Sequence, residues 1–427
     1  ADILTALSKL TQGRTTISVT HRLSWAVAAD CVYVLDKGRV VEQGLGLRWQ
    51  VDADPYSLGL DALVGLALRD NPRRAQLVVS RVLGKHLPVS PAVALEAAGR
   101  LAGLVGNVAD PVVLGYCETA TGLGHAVAQA LGSGGYYAHT TRRPEPTVPA
   151  VLGFDEEHSH AVAHTLQLRD PGVLDDPDRT VVLVDDELTT GTTALNTVAA
   201  LHTRRPHRRY VVATLLDLRT PDVREVFAAR AARLGVQVDV VALLSGSLTL
   251  PADVMDRAAD LRAALARVPA AAAPTGRGRV ELLDGGWPTA VPTGGRTGTD
   301  LGGYDEPLAA LADRVAGRLS GGPVLVLGTE ELMWLPLRLA GLLRGEVSYQ
   351  STTRSPVLPA DLPGYAVRRA LRFPAPDEPG RTSRLHGLPG TPYADIVVVV
   401  DTPLPPARPL ADALRPWATG SVLLVGV

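Results

Sequence analysis

The chain has 427 residues, a formal net charge of −2 and 46% hydrophobic residues. This length accommodates two or three domains with a large core, and the composition excludes a disordered or fibrous protein. A net charge near zero gives no indication of nucleic-acid binding. No signal peptide begins the chain and no apolar run is long enough to cross a membrane, so we expect a cytoplasmic protein. Cys31 and Cys117 lie far apart without a partner cluster, which argues against a disulfide framework or a structural zinc site.

The first segment, residues 1–45, predicts a strand at Thr16–Thr20, a helix, a strand at Cys31–Leu35, and an Asp-Lys-Gly turn into a third strand. Its sequence "VTHRLSWAVAADCVYVLDKGRVVEQG" resembles the last part of an ABC transporter ATPase domain, and His21 matches the switch histidine of that family. The sequence contains no G-x-x-x-x-G-K-[S/T] phosphate loop, which such an ATPase needs. We interpret the segment as an inactive remnant of a fused or mis-started gene; pairing with a separate ATPase is the alternative.

The remainder of the chain alternates strand and helix patterns, which predicts an α/β fold with parallel sheets. We divide it into a domain at residues 46–270, a linker at 271–295 rich in Pro and Gly, and a smaller α/β domain at 296–427. The strand–loop–helix units expected in the first domain cover residues 112–131, 181–202 and 210–233, and the strands expected in the second cover residues 323–328, 394–401 and 421–427.

The stretch "VVLVDDELTTGTTALNT" combines an apolar run at 181–184 with two acids, Asp185 and Asp186, and a turn of small hydroxyl residues at 189–193. Ligands bind at the carboxyl ends of strands in open α/β sheets. Adjacent carboxylates accept hydrogen bonds from a pair of sugar hydroxyls, and a turn at a helix N-terminus favours a phosphate. Ribose 5-phosphate satisfies both halves of this pattern.

The same stretch resembles the phosphoribosyl-pyrophosphate (PRPP) motif of type I phosphoribosyltransferases, which have a Rossmann-like parallel-sheet domain. The resemblance implies that Asp185 and Asp186 hold the ribose 2′- and 3′-hydroxyls. It also implies that the loop for the 5′-phosphate consists of Thr189, Thr190, Gly191, Thr192 and Thr193.

A second strand–loop–helix unit, "VVLGYCETATGLGHAVAQAL", is the candidate pyrophosphate site, with a generic turn as the alternative. Two arginines that follow it, Arg142 and Arg143, are expected to meet the negative charge of the departing pyrophosphate. The loop residues assigned to pyrophosphate are Glu118, Thr119, Ala120, Thr121 and Gly122.

The segment "FDEEHSHAVAHTLQLRD" contains Glu157, His158, His160 and His164. Three interpretations stay open for it: a catalytic loop that closes over the substrates, a metal cluster, or a solvated surface. In the orotate-type relatives a mobile loop lies at this point in the chain. We therefore take His158 and His160 as candidate catalytic residues, and we assign no metal to the protein itself.

The stretches "GYCETATGLG", "HTTRR", "EEHSHA" and "RVLGKHLPVSP" together resemble the phosphoribosyltransferase subfamily of bacterial tellurium-resistance and stress operons. Lys85 and His86 lie in the last of these stretches. They either face the active site or belong to a structural loop.

The last domain repeats features of the first: Gly115 precedes Thr141 by 26 residues, and Gly328 precedes Thr353 by 25. We interpret it as a degenerate copy in which Asp401 stands in the place of Asp185 and the second acid and the threonine turn are lost. Its stretch "STTRSPV" resembles the TRSP domain that follows this subfamily. A candidate anion site, with a structural turn as the alternative, consists of Thr353, Arg354 and Ser355.

The resemblance implies transfer of ribose 5-phosphate from PRPP to a small-molecule acceptor, with release of pyrophosphate that carries Mg²⁺. A nucleotide-like product for tellurite or stress resistance is expected, without nucleic-acid or membrane partners, and a homodimer is left open. The alternative function is a non-catalytic regulatory protein that binds PRPP.

Overall fold

A computed structural model of the protein describes residues 39–71, 74–132, 134–154 and 164–427. Two sheets, in which most strands run parallel, form its framework, and helices pack on both faces of each. This confirms the predicted α/β class. Within the described ranges, no helix is both long and apolar enough to cross a membrane.

The first sheet has seven strands, of which the five in the middle are parallel and the two at the edges are antiparallel to their neighbours. In spatial order they are β1 (Arg48–Ala53), β10 (Val238–Thr249), β9 (Tyr210–Asp217), β8 (Val181–Leu188), β4 (Val112–Gly115), β5 (Tyr136–His139) and β12 (Thr299–Asp300). The helices around this sheet are α1 (Val40–Leu45), α2 (Leu60–Leu63), α3 (Pro91–Val105), α4 (Thr121–Leu131), α5 (Thr192–Arg204), α6 (Pro221–Leu234) and α7 (Val254–Leu265).

The second sheet has five strands, all parallel. In spatial order they are β11 (Arg279–Asp284), β18 (Ser421–Gly426), β17 (Asp395–Val400), β13 (Val324–Gly328) and β14 (Val347–Ser351), with helices α8 (Asp305–Ala316), α9 (Trp334–Leu342) and α10 (Leu404–Leu414). Three antiparallel hairpins lie outside the sheets: β2 (Val64–Leu68) with β3 (Gln76–Ser80), β6 (Ala150–Phe154) with β7 (His164–Gln167), and β15 (Ala370–Pro374) with β16 (Thr382–His386). Short 3₁₀ turns cover Pro171–Leu174 and Arg415–Trp417.

Continuous apolar runs form the central strands because both faces of each sheet are covered. Val181 and Val182 on β8 are fully buried on opposite faces of the first sheet, and Val397 and Val398 on β17 are buried in the same way in the second. The strand–helix units predicted at 112–131, 181–202 and 210–233 are therefore confirmed, as are the three strands predicted in the last domain.

Two details of the predicted organisation are wrong. The stretch expected to form the third strand of the N-terminal segment is helix α1, which packs its buried Val41 and Leu45 beside α7 and ends at Gly46 in a left-handed conformation. The expected linker contains β11, which pairs in parallel with β18. In both cases contacts with distant parts of the chain decided the local conformation.

The two sheets are joined through a shared apolar region and through backbone pairing. Trp334 at the start of α9 stacks on His125 of α4 with ring centroids 4.3 Å apart. The loop before α3 adds to the edge of β14, where Val89 and Tyr349 exchange two backbone hydrogen bonds of 3.0 and 2.7 Å. The last domain is thus packed directly against the side of the first sheet that carries α3 and α4.

Candidate active site

The acidic residues of the stretch "VVLVDDELTTGTTALNT" lie in the second half of β8. Strand β4 ends at Gly115, opposite Val184, so β8 beyond that point pairs only with β9. The strand nevertheless continues to Leu188, which places Asp185, Asp186 and Glu187 on the strand and not after it. These three side chains are half-buried at the carboxyl edge of the sheet, beside the loop that follows β4.

The acids repel one another in a poorly solvated position. Burial raises the pKa of Asp185 well above its usual value, and the charge of Asp186 adds to this effect. Burial and Asp186 also raise the pKa of Glu187 to about 7, while Arg69, Arg74 and Lys85 oppose that shift. A ligand that donates hydroxyl groups would stabilise the ionised acids.

The threonine loop, residues 189–193, connects β8 to α5. Thr189 and Thr190 are exposed, and the backbone N–H of Thr192 donates to the hydroxyl of Thr190 over 3.2 Å. Gly191 adopts φ +75° and lies directly on Phe227 of α6. The loop therefore turns outward at the helix N-terminus, where backbone donors suit a phosphate, and a cavity of about 260 Å³ opens between it and α6.

The loop after β4, residues 116–122, begins beside β8 and α5. The backbone N–H of Tyr116 donates to the carbonyl of Val184 over 3.1 Å, and its hydroxyl donates to Thr197 of α5 over 2.9 Å. Glu118 is buried after a cis peptide bond from Cys117. The loop after β4 thus starts directly beside β8 and α5, the two elements that the threonine loop connects.

Lys85 reaches this loop, and the sequence alone did not decide that role. Its Nζ donates to the hydroxyl of Thr119 and lies 3.9 Å from the Glu118 carboxylate. Neighbouring His86 is buried; burial and the charges of Lys85 and His386 hold the pKa of His86 well below its usual value. Lys85 is the single lysine between residues 39 and 427, which is a signal that sequence analysis could have weighted more strongly.

The two arginines assigned to the leaving group separate in the structure. Arg142 Nη1 lies 3.9 Å from the carboxylate of Glu118. Arg143 instead reaches the last domain, where its Nε lies 3.0 Å from Asp377 and its Nη1 lies 3.6 Å from Asp401. Only Arg142 therefore approaches the loop after β4, which differs from the expected pair.

The anion site expected in the last domain is already paired with acids. Thr353 is buried, and the Arg354 guanidinium lies 2.7 Å from Glu330 and 3.5 Å from Asp377. Although burial of Glu330 opposes ionisation, hydrogen bonds and charges from Arg381 and Arg354 hold its pKa below the usual value. An anion-binding role for Thr353, Arg354 and Ser355 stays a prediction.

Three residues of the predicted histidine segment, Glu157, His158 and His160, lie outside the described residues. His164 begins β7. Across the described ranges, no three His, Cys, Asp or Glu side chains are grouped closely enough to hold a metal ion.

Among curated proteins, a 39-residue segment at the N-terminus is 59% identical to the ABC transporter ATP-binding protein exp8 of Streptococcus pneumoniae. It is 64% identical over 39 residues to ABC transporter B family member 13 of Arabidopsis thaliana. Each match covers 9% of this chain, and the chain spans 7% and 3% of the length of these relatives.

Similar solved structures include phosphoribosyltransferases. The adenine enzyme of Giardia lamblia is 22% identical, covers 42% of this chain and 94% of its own, and gives a TM-score of 0.31. The adenine enzyme of Rhodothermus marinus is 19% identical with coverages of 43% and 95% and a TM-score of 0.31. The orotate enzyme of Aeropyrum pernix is 20% identical with coverages of 44% and 89% and a TM-score of 0.26.

Family models match both of the large domains. Residues 63–247 match the family described as phosphoribosyl transferase, a range that contains the loops after β4 and β8. Residues 293–414 match the TRSP domain described as lying C-terminal to that family. The chain therefore carries a phosphoribosyltransferase domain followed by a TRSP domain.

Proposed function

We propose that the protein transfers ribose 5-phosphate from PRPP to a nitrogenous small-molecule acceptor and releases pyrophosphate. The observation that carries this proposal is the pairing of β4 with β8, where the backbone N–H of Tyr116, the first residue after β4, donates to Val184, the residue before the two aspartates. It brings a candidate phosphate loop, a candidate diol site and a candidate pyrophosphate loop to one edge of the sheet.

The acids and the threonine loop would hold the ribose phosphate. Asp185 and Asp186 accept hydrogen bonds from the ribose hydroxyls, and residues 189–193 bind the 5′-phosphate through backbone N–H groups and hydroxyls. Both groups lie at the junction of β8 and α5, so one substrate can contact them together.

The leaving group would lie at residues 118–122. Lys85 Nζ and Arg142 Nη1 each lie 3.9 Å from the carboxylate of Glu118. Charge grows on pyrophosphate as the glycosidic bond breaks, so these cations stabilise the transition state more than the ground state. His158 and His160 remain candidate catalytic residues of this proposal.

Mg²⁺ fits the site as an ion carried by the substrate. It prefers oxygen ligands and is commonly held by one or two carboxylates together with substrate phosphates. The buried carboxylate of Glu118 beside the candidate pyrophosphate loop supplies such oxygens. When bound, the ion would neutralise part of the charge that grows on pyrophosphate.

A second cavity, of about 190 Å³, supports a place for the acceptor. It lies at the carboxyl ends of β8, β9 and β10 under the β2–β3 hairpin, and Arg69, Glu187, Thr189 and Leu218 belong to its lining. Its walls are partly apolar and partly charged, as a planar heterocycle with polar edges requires.

The test is incubation of the purified protein with PRPP, Mg²⁺ and a panel of heterocyclic bases, with products identified by mass spectrometry. We expect pyrophosphate and one ribosylated product. Asp185→Asn combined with Asp186→Asn should weaken PRPP binding at least 100-fold in calorimetry, because two charged acceptors of the diol are lost. PRPP affinity equal to that of the wild type would contradict the assignment.

A regulatory protein that binds PRPP without turnover is the second candidate. The pairing of Arg143 with Asp377 and Asp401 favours it, because one of the two expected cations is taken from the leaving group. Tight PRPP binding without pyrophosphate release across the panel would establish this function instead.

A role in tellurite or stress resistance and a cytoplasmic location complete the proposal, and a homodimer is left open. The first rests on the subfamily resemblance of the stretches around residues 81–91, 115–124 and 139–143. The resistance role is tested by measuring tellurite tolerance after gene deletion. Cell fractionation tests the location, and sedimentation of the purified protein tests for a homodimer.

A further inference from the structure

The two domains share one strand order. In the first sheet the parallel strands follow the order β10, β9, β8, β4, β5, and in the second the order β11, β18, β17, β13, β14. In the first sheet the third and fourth strands of this order, β8 and β4, are followed by the two loops of the candidate site, and β17 and β13 have the same places in the second sheet. In both domains a hairpin follows the fifth strand along the chain (β6–β7 and β15–β16).

The hydrogen bonds around the strand ends are repeated as well. Three bonds recur between matching residues at nearly the same length. They are Thr140 N–H to Gly115 O (2.9 Å) and Thr352 N–H to Gly328 O (3.0 Å); Cys117 N–H to Thr140 Oγ1 (3.0 Å) and Glu330 N–H to Thr352 Oγ1 (3.0 Å); and Arg143 N–H to Thr141 Oγ1 (2.9 Å) and Ser355 N–H to Thr353 Oγ1 (3.0 Å). Arg142 therefore matches Arg354, and Arg143 matches Ser355.

The strand register corrects one predicted equivalence. The matching neighbour pairs are Leu114 with Leu183 and Leu327 with Val398. Three residues further along β8 and β17, Asp401 is level with Asp186. The expectation that Asp401 replaces Asp185 is therefore wrong, because Val400 takes that position.

Contacts between the domains are reciprocal. The backbone N–H of Arg142 donates to Glu331 over 2.8 Å, and the backbone N–H of Arg354 donates to both oxygens of Glu118 over 3.3 Å. Glu118 and Glu331 each lie three residues after the strand-end glycine, so they are equivalent. An exchange in which residue i contacts j and j contacts i is the mark of a two-fold interface.

The exchange of contacts is not reciprocal at Arg143, whose counterpart is Ser355. Arg143 crosses the interface and pairs with Asp377 and Asp401, and Arg296 donates to Asp401 from a third direction. Guanidinium groups thus occupy the strand end of the TRSP domain. Ser355, the equivalent of Arg143, is too short to reach Asp186 in the same way.

We propose that the TRSP domain takes the place of a second phosphoribosyltransferase subunit, and that the residue at position 143 or 355 decides which of the two strand ends admits a ligand. Arginine closes the site of the TRSP domain, and serine leaves the site at Asp186 open. The inference rests on the proposed function, since PRPP is the ligand that the open site would bind.

The test is Ser355→Arg in the full chain, with PRPP affinity measured by calorimetry. The new guanidinium should pair with Asp186 and compete with the ribose hydroxyls, so we expect affinity to fall at least tenfold. Thr382→Arg adds the same charge at an exposed position of β16 and should leave affinity unchanged. Equal affinity of Ser355→Arg and wild type would overturn the inference, whereas a wild type that binds no PRPP would refute the proposed function itself.

A second variant introduces the positive charge only after the protein has folded. Ser355→Cys is purified folded and then modified with 2-aminoethyl methanethiosulfonate, which adds a cation, or with methyl methanethiosulfonate, which adds a neutral group. Wild type treated in parallel accounts for Cys31 and Cys117. PRPP affinity at least tenfold weaker for the cationic adduct supports the inference, and equal affinities for the two adducts overturn it.

Discussion

At the scale of single residues, the site is defined by acids placed where water is scarce. Asp185, Asp186 and Glu187 follow one another on β8, and burial raises the pKa of both Asp185 and Glu187. Such groups are costly to fold in their charged form. Three consecutive carboxylates at this position are consistent with a site whose ligand supplies the missing hydrogen bonds and positive charge.

Glu187 allows a test of this cost through pH. Its pKa of about 7 exceeds the ordinary value of 4.5, so the folded protein keeps a proton between these pH values that the unfolded chain loses. The free energy of unfolding therefore decreases as pH rises through that window. We expect Glu187→Gln to raise it by about 1–2 kcal/mol at pH 8 and to change it little at pH 4.

Urea unfolding at the two pH values measures this effect. Glu225→Gln, at an exposed position of α6, is the matched control and should behave as wild type at both. A Glu187→Gln variant with the same pH dependence as wild type would show that the folded protein does not hold this proton.

At the scale of elements, the threonine loop depends on the helix behind it. Gly191 begins the turn into α5 with φ +75°, and a Cβ at this position would approach the Phe227 ring to 2.5 Å. Phe227 is buried, and the Arg219 guanidinium lies 4.5 Å from the centre of its ring. The contact with Phe227 of α6 therefore fixes the position of the threonine loop relative to the sheet.

Gly191→Ala should move the loop outward. We expect the free energy of unfolding to fall by about 2–4 kcal/mol, from backbone strain together with the clash, and PRPP affinity to fall with it. Gly235→Ala separates the two causes, because Gly235 has φ +71° but open space around its Cα. That control should lose only about 1–2 kcal/mol. Chemical unfolding and calorimetry measure both quantities, and equal losses in the two variants would rule out the clash.

At the scale of the whole molecule, the boundary of the first domain lies earlier than the resemblance to an ATPase indicates. Helix α1 is part of the apolar core that also holds α7 and part of the TRSP domain, including Val357 and Val367. Residues 40–45 thus belong to the folded unit, even though the stretch that resembles an ATPase runs to Gly44.

Two deletions test this boundary. Removal of residues 1–38 should leave PRPP affinity unchanged, because the residues assigned to PRPP all lie between 85 and 193. Removal of residues 1–45 should in addition lower the free energy of unfolding by about 3 kcal/mol or more, because Val41 and Leu45, at 1% and 0% exposure, leave the core. Thermal unfolding and PRPP titration are the measurements. A large loss of affinity in the shorter deletion would make the N-terminal segment part of the site.

The sequence by itself determined the features that depend on short stretches of chain. The apolar run, the acids and the threonine turn of "VVLVDDELTTGTTA" indicate strand, loop and helix through local patterns, and β8 and α5 form there. The same holds for β4 with α4 and for the strands of the TRSP domain, where β-branched runs are bounded by turns.

Only the tertiary structure decided which distant residues meet. Lys85 approaches Thr119, and Arg143 turns from the first site to Asp377, because the loop before α3 and the TRSP domain pack against the first sheet. Helix α1 replaces the expected strand for a similar reason, since its apolar residues are buried beside α7. Local sequence patterns do not predict contacts between residues that are far apart in the chain. They arise when apolar faces far apart in the chain are removed from water together, and that burial then sets the direction of each charged side chain.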